Sequence, residues 1–504
     1  MSGDVVDLAI IGGGINGCGI AADAAGRGAS VVLAEMGDLA SATSSASSKL
    51  IHGGLRYLEQ YDFRLVREAL AEREVLLGKA PHLIWPLRFV LPHVAGLRPR
   101  WMIRAGLFLY DHLARRRVIP GSQSVDFTRD PAGRALRADL VRGFSYFDCW
   151  VDDARLVVAN AQAAARRGAR ILTRTRVTEL RRSEAGWQIT LLSGNATRSI
   201  LARHIVNAAG PWAGEIDTLA ATGGSLGAAR PRLRLVKGSH IVVPRIEGMG
   251  ETAYLLQSAD RRVVFALPFE ERFAIIGTTD VSWRGDPGSV QISEDEEQYL
   301  LDLARRFFRS PPRPEDIVWR YSGVRPLLDD GDENPSSVTR DYRIESGPRT
   351  GGPQLVSCYG GKVTTYRRLA EDVLARLTAH LPHLAGPWTA TAALPGGDIE
   401  GADFDGFLRR MAVAYPGFSP LTLKRLARRH GSRLAEVIGD ARDASGMGLD
   451  LGHGLSEREV VYMREHEWAR TAEDILWRRS KVGLHMTAEE RRQASERIER
   501  LLAR

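Results

Sequence analysis

The chain has 504 residues, of which 44% are hydrophobic, and a formal net charge of +8. That length predicts two or three domains with a sizeable core, and the basic balance calls for an anionic partner without choosing among nucleic acid, lipid and small substrate. Its three cysteines, Cys18, Cys149 and Cys358, are widely spaced, which argues against a disulfide framework, a zinc site or an iron–sulfur cluster and fits a reducing cytoplasm.

The first informative stretch is Asp7 to Glu35, DLAIIGGGINGCGIAADAAGRGASVVLAE. A short apolar run predicts a buried parallel strand, and a second apolar run ends at Glu35. Between them Gly12, Gly14 and Gly17 form G-x-G-x-x-G at a strand-to-helix turn. The first glycine permits the tight turn, the second lets backbone approach a pyrophosphate, and the third lets the helix lie close to the strand. The helix N-terminus offers N–H groups and a positive dipole end to phosphates. Glu35 is placed to accept from ribose hydroxyls and to repel a 2′-phosphate. A tight turn with no ligand is the plainer reading of such glycines, but the flanking strands and the acid favour a dinucleotide. The motif alone does not separate FAD from NAD. The stretch resembles a signal peptide only in being apolar; it lacks a basic start, and Asp4, Asp7 and Asp23 interrupt it. No apolar run reaches the ~18 residues of a spanning helix, so membrane association is expected to be peripheral.

Gly37 to Lys49, GDLASATSSASSK, reads as a loop wrapping a cofactor or as a flexible linker. The following LIHGGLRYLE, with paired glycines among His52, Arg56 and Tyr57, favours the first. Phe63 to Leu77 predicts an amphipathic helix. Arg88 to Arg117 carries seven arginines around an apolar run that includes Trp101, Phe108 and Leu109. It suits a helix lying in a lipid headgroup layer, or a core helix with solvated basic ends.

A helix is expected from Asp153 to Arg167, and a second strand–turn signal at Val206 to Gly210. Arg232 to Pro244, Val263 to Leu267, Phe273 to Thr279, Val318 to Leu327 and Val338 to Arg343 predict a mostly antiparallel second sheet. A helix is expected to open at Gly361. Beyond Pro395 the pattern is helical and charged, with cap signals at Ser419, Ser456, Thr471 and Thr487, and predicts a separate small domain. The polar residues at the turns of the second sheet are mostly cationic: Lys237, His240, Arg325 and Arg340, with Lys362 and Arg56 elsewhere. Each alone is most simply a surface charge; together they suit a phosphate or carboxylate substrate. No metal cluster or nucleophile triad stands out, so a cofactor is expected to carry the chemistry.

The stretches IGGGINGCGIAADAAGRG, SATSSASSKLIHGGLRYLE, CWVDDARL, NAAGPW, KGSHIVVPR, IGTTD, YSGVRPL, TRDY, GGKVTTYRRLAE and HEWARTAEDILWRRSK resemble the FAD-dependent glycerol-3-phosphate dehydrogenase family, in particular its bacterial aerobic, quinone-linked type. The resemblance covers nearly the whole chain, with the motifs in order. It implies an α/β fold with a glutathione-reductase-like FAD-binding Rossmann domain in three pieces (1–85, 146–230 and 346–385). It also implies an antiparallel-sheet substrate domain (231–345), a basic insertion that shares in it and is a candidate membrane-facing segment (86–145), and an all-helical C-terminal domain (390–504). The implied reaction oxidises sn-glycerol 3-phosphate to dihydroxyacetone phosphate, with electrons passing to ubiquinone or menaquinone. The implied setting is a peripheral homodimer on the cytoplasmic, inner face of the cell membrane, with no nucleic acid.

In site terms the resemblance implies that Gly12, Gly14, Gly17 and Glu35 hold the ADP half of FAD. Ser44, Ser45, Ser47 and Lys49 line the cofactor, with Gly210 and Thr365 near the flavin. Arg325, Arg340, Lys362, Arg56, Tyr57 and Thr278 surround the substrate. Arg325 and Lys362 are cast as stabilisers of the developing charge, and His52 and His240 as candidates for the proton acceptor. Three other readings stay open: an oxidase that uses oxygen, an amine oxidase of the same superfamily, and a non-catalytic FAD-containing membrane or nucleic-acid binder.

Overall fold

The strand Val6–Ile11 is buried at every position but Asp7, as an apolar run flanked on both sides must be. It lies parallel to Val31–Ala34 on one side and to Ala196–Asn207 on the other. The structure is a computed structural model and describes residues 5–60, 62–94, 98–222, 231–258, 262–329, 341–348 and 351–504, with the backbone only at residues 56, 59 and 60. The parallel core continues through Leu355–Tyr359, and Arg170–Leu172 joins at the opposite edge. Helices Ile15–Gly26, Asp153–Ala165 and Tyr366–Leu377 share one core with these strands. Small residues make the close packing possible: Cys18, Ala21, Ala22 and Ala25 of the first helix share that core with Ala154, Val157, Val158 and Ala161 of the second. The result is an α/β FAD-binding fold beside a second sheet and a helical C-terminal domain.

The second sheet has ten strands. Toward one end Leu233–Pro244 pairs antiparallel with Trp319–Leu328 and with Phe273–Gly277. Val263–Phe269 and Thr252–Gln257 extend it by antiparallel pairing, and Ile84–Pro92 adds the one parallel junction among the described strands of this sheet. Arg142–Val151 then pairs antiparallel with Ile84–Pro92. Residues 86–92, in the basic stretch, are therefore sheet residues, and Arg88 pairs with Asp130 at 2.7 Å. The helix Glu294–Phe307, opened by a Ser293/Glu296 capping box, covers one face of the sheet with Leu300, Leu303 and Phe307.

Two sequence expectations change. Val338 to Arg343 was expected in the second sheet. Residues 338–340 lie outside the described residues, and the strand that starts at Arg343 runs to Gly347 and pairs antiparallel with Leu355–Tyr359. It is the first arm of a hairpin on the first sheet, where Ile344 faces that core. The helix expected from Gly361 opens as a 3-10 turn, Val363–Thr365, and becomes α-helical only at Tyr366. Gly360 and Gly361, at φ +72° and +95°, hold backbone conformations that do not propagate a right-handed helix.

The C-terminal domain has two apolar clusters, one around Phe407, Leu426 and Val437 and one around Val460, Ile475 and Ile498. Its helices are capped largely where the sequence signals it: Ser419 accepts from Thr422 N–H at 3.1 Å, and Thr487 and Glu490 form a full capping box. Thr471 also caps as signalled, accepting from Asp474 N–H at 3.3 Å while its own N–H donates to the Asp474 carboxylate at 3.0 Å, and the helix it opens becomes a π-helical segment, Asp474–Arg479. A buried ionic junction ties this domain to the helix Asp153–Ala165: Arg155 pairs with Glu467, and Glu459 lies 2.9 Å from His430. Burial works to raise the Glu459 carboxyl, yet Arg429 and His430 hold it down at about 2.

Candidate active site

The two sheets and the π-helical segment enclose a cavity of about 1510 Å³. That exceeds the ~300–1,000 Å³ of ordinary ligand pockets and suits an extended cofactor with a substrate beside it. One end is built by the glycine turn. Gly12 sits at φ +114°, and a Cβ there would lie 2.4 Å from the Ala208 carbonyl oxygen. A Cβ on Gly17 would lie 1.9 Å from the Gly12 oxygen. Gly17 is therefore behind the wall, and it is Gly14, Ile15 and Asn16 that face the cavity.

Glu35 lines the cavity with both carboxylate oxygens engaged: Gly13 N–H donates to one at 2.6 Å and Gly37 N–H to the other at 2.7 Å. Burial raises its pKa against these donors. The serine-rich loop that follows is ordered by specific contacts. Ser44 Oγ accepts from Ile15 N–H at 3.0 Å, and Ser47 Oγ donates to Asp153 at 2.7 Å. Lys49 is buried at φ +57° and donates to both Asp153 oxygens, at 2.8 and 3.0 Å. Ser45, also on the wall, accepts from Lys49 Nζ through its carbonyl at 2.9 Å. Thr43 Oγ1 donates to the Val324 carbonyl at 2.7 Å, which sets this loop beside the strand carrying Arg325.

The same cavity is also lined by Arg325, Thr278, Lys362, Tyr57, His52 and Gly210. Arg325 donates to Thr278 Oγ1 at 2.8 Å and to Asp280 at 2.5 Å. Gly238, on the paired strand, makes room for it: a Cβ there would lie 2.4 Å from the guanidinium. The Lys362 ammonium lies 3.6 Å from the Tyr57 ring centroid, a cation–π distance. Gly54 has the corresponding role here, since its Cβ would strike the Tyr57 ring at 2.2 Å.

Other expected site residues fall elsewhere. His240 is buried behind the wall, 3.0 Å from Ser48 Oγ and stacked on Tyr321 at 4.6 Å. Burial first, then Arg325 and Lys49, push its pKa well below the ordinary histidine value, so it is neutral. Thr365 is also buried, and Thr364 takes the place on the wall. Lys237 is a buried partner of Glu296 at 2.7 Å. Arg340 and the Arg56 side chain lie outside the described residues.

Several wall residues were not singled out from the sequence: Asn16, Asp153, Asp280, Tyr321, Trp477 and Arg478. Only Asp153 had a signal, as the second of two acids at a predicted helix start. Among the described residues no cluster of metal-ligating side chains occurs. The donor set fits FAD. Glycines let backbone approach at a helix N-terminus, and the buried Asn16 amide oxygen on the wall has no hydrogen-bond partner within the protein.

A family model described as FAD dependent oxidoreductase matches residues 7–367, and one described as the C-terminal domain of alpha-glycerophosphate oxidase matches residues 388–504. The chain is 49% identical to the aerobic glycerol-3-phosphate dehydrogenase of Escherichia coli (strain K12), over 97% of this chain and 96% of that one. It is 50% identical to the D-erythritol 1-phosphate dehydrogenase of Brucella abortus (strain 2308), again over 97% and 96%. Among solved structures it is similar to the glycerol-3-phosphate dehydrogenase from Bacillus halodurans complexed with FAD. There the TM-score is 0.73 at 28% identity, covering 100% of this chain and 95% of that chain.

Proposed function

This chain belongs to the FAD-dependent oxidoreductase family, and from that premise we propose that it oxidises sn-glycerol 3-phosphate to dihydroxyacetone phosphate and passes the electrons to a membrane quinone. The observation that carries the substrate class is that Arg325 and Lys362 both line this one cavity. A guanidinium held by Thr278 and Asp280 presents a fixed fork to phosphate or alkoxide oxygen. Bound FAD supplies the acceptor for the hydride that leaves the substrate's central carbon. The protein's part is to orient that carbon, to stabilise charge on its oxygen, and to accept the hydroxyl proton.

His52 is the proton acceptor in this reading, because it lines the cavity and His240 does not. The anaerobic rate of flavin reduction then falls on the acid side, and His52→Gln removes that limb. An unaltered pH profile in His52→Gln would exclude it.

The membrane acceptor is supported by the helix Arg100–His112. It exposes Trp101, Phe108 and Leu109 at 69%, 54% and 44%, and its Trp101, Ile103, Gly106 and Leu109 border the same cavity. Such a helix can rest in the interfacial layer with its arginines on lipid phosphates. Among the described residues no helix is long and apolar enough to cross a membrane. The reading includes a homodimer at the inner face of the cell membrane; sedimentation at the mass of one chain, with lipid or detergent present, would remove the dimer.

D-erythritol 1-phosphate is the second reading, because a relative of that name is as similar to this chain as the aerobic glycerol-3-phosphate dehydrogenase is. One experiment separates the readings. The FAD-loaded protein is mixed anaerobically with each polyol phosphate, and then with vesicles containing ubiquinone or menaquinone. The expectation is bleaching by glycerol 3-phosphate at the higher kcat/KM, followed by reoxidation by the vesicles. No bleaching by glycerol 3-phosphate would sink the main reading, and faster bleaching by D-erythritol 1-phosphate would install the second. Reoxidation by oxygen alone, with stoichiometric peroxide, would replace the quinone.

A further inference from the structure

The C-terminal domain supplies part of the cofactor cavity. Glu473, Trp477, Arg478 and Lys481 all lie on its wall, and three of these flank or belong to a π-helical segment, Asp474–Arg479. Such segments are uncommon and concentrate at functional sites. The domain also grips both loops that form the dinucleotide cradle.

The first grip is on Asp38, three residues after Glu35. Its buried carboxylate receives the Arg479 guanidinium at 2.7 and 2.8 Å and Arg478 Nε at 2.7 Å. Arg479 is fully buried and donates its remaining N–H groups to the Glu467 carbonyl at 2.7 and 3.2 Å. Arg478 also donates to Asp474 at 2.5 Å and to Glu473 at 3.0 Å. Asp474 in turn accepts from Arg174 at 2.7 Å, and the Arg174 backbone N–H donates to the Gly37 carbonyl at 2.8 Å. The turn at 35–38 is thus fixed from both sides.

The second grip runs through Lys481, which donates to Asp152 at 2.6 Å. Asp152 caps the helix Asp153–Ala165, and its neighbour Asp153 holds Ser47 and Lys49 of the serine loop. Burial would raise the Asp152 carboxyl, but Lys481 keeps it below its ordinary value. Charge-assisted forks of this kind fix geometry as well as contribute energy.

We propose that the C-terminal domain is the retention element of the FAD cavity: Arg478 and Arg479 act as positioning residues that lock the Asp38 turn and the adjoining wall around the bound dinucleotide. The inference rests on FAD binding and is independent of which polyol phosphate is oxidised.

The test reads FAD release and uses no substrate. Holoenzyme is diluted, and the recovery of free-flavin fluorescence is followed. Arg478→Met retains the Arg479–Asp38 fork, so the fold is kept. It is expected to release FAD about tenfold faster or more, since the wall loses the charge-assisted hydrogen bonds of Arg478 to Asp38, Glu473 and Asp474, with Arg478→Lys intermediate. Arg433→Met is the control for general weakening of the domain, because Arg433 pairs with Glu436 at 2.5 Å and is absent from the cavity wall. It is expected to lower the thermal midpoint and leave FAD release at the unmodified rate. Unchanged release in both Arg478→Met and Asp38→Asn would overturn the proposal. So would equal acceleration by Arg433→Met, since release would then follow domain stability alone.

Discussion

Arg325→Met is expected to lower kcat/KM for glycerol 3-phosphate by about 10²–10³, the usual effect of removing one preorganised donor from developing negative charge. The size follows from how firmly the guanidinium is placed. Arg325 stands on the strand Trp319–Leu328, directly across from Val236 of the neighbouring strand. Gly238 leaves the space it fills, and Thr278 and Asp280 fix its fork at 2.8 and 2.5 Å. Its side chain is 21% exposed and that of Asp280 7%, so the pair sits where solvent screens little. Arg325→Lys recovers only part of the loss, because an ammonium has no planar fork. Removing Arg325 also strips Asp280 of this partner, and an uncompensated carboxylate would itself repel a phosphate. Arg325→Met with Asp280→Asn separates the two effects. If the double variant regains the unmodified kcat/KM, Arg325 is a structural counter-ion and the assignment fails. FAD content is measured in parallel and is expected to stay full, since the dinucleotide cradle is built by other residues.

How legible this site was depended on how local each requirement is. The glycine turn could be read because its demands, a positive φ at Gly12 and a close approach at Gly17, arise within a few residues. The cations could be read as a class, but not sorted. Lys49, Lys237 and Lys362 look alike in sequence, yet Lys49 is held on Asp153 at the cavity wall, Lys237 is buried on Glu296 away from it, and Lys362 lies over the Tyr57 ring in the cavity. Their carboxylate partners come from distant segments, and no local pattern announces them. His240 is a related case: the Tyr321 ring that stacks on it belongs to another strand. The strand at Arg343 was misassigned because an alternating run does not say which sheet its hairpin partner occupies. The wall built by Trp477 and Arg478 was illegible for the same reason, with Asp38 and Arg478 separated by 440 positions. The fold class survives such uncertainty because it rests on periodicity and element order. The assignment of individual side chains does not.

Gly17→Ala is expected to cost about 3 kcal/mol or more, the upper range for forced overpacking, and to yield protein without FAD. One methyl group has this effect because of what it meets. The added Cβ would lie 1.9 Å from the Gly12 carbonyl oxygen and 3.5 Å from the Ala208 Cβ. The first of these is backbone, and it belongs to a glycine whose own φ of +114° fixes the turn. Neither side can give way cheaply: the helix Ile15–Gly26 is held by Ala21, Ala22 and Ala25 against the helices behind it, and the strand Val6–Ile11 is paired on both edges. Relief therefore means lifting the helix N-terminus from the strand, which moves the N–H groups that face the phosphates. Gly14→Ala provides the contrast. Its Cβ would meet only the Ser44 hydroxyl, at 3.0 Å, so the fold should tolerate it while the approach of a pyrophosphate is obstructed. Thermal midpoints of the FAD-free proteins and flavin absorbance after purification distinguish the two: a low midpoint for Gly17→Ala, a near-normal midpoint with reduced flavin for Gly14→Ala. A Gly17→Ala protein that kept both its midpoint and its FAD would show that the strand–helix contact at Gly12 and Gly17 does not set the geometry of this turn.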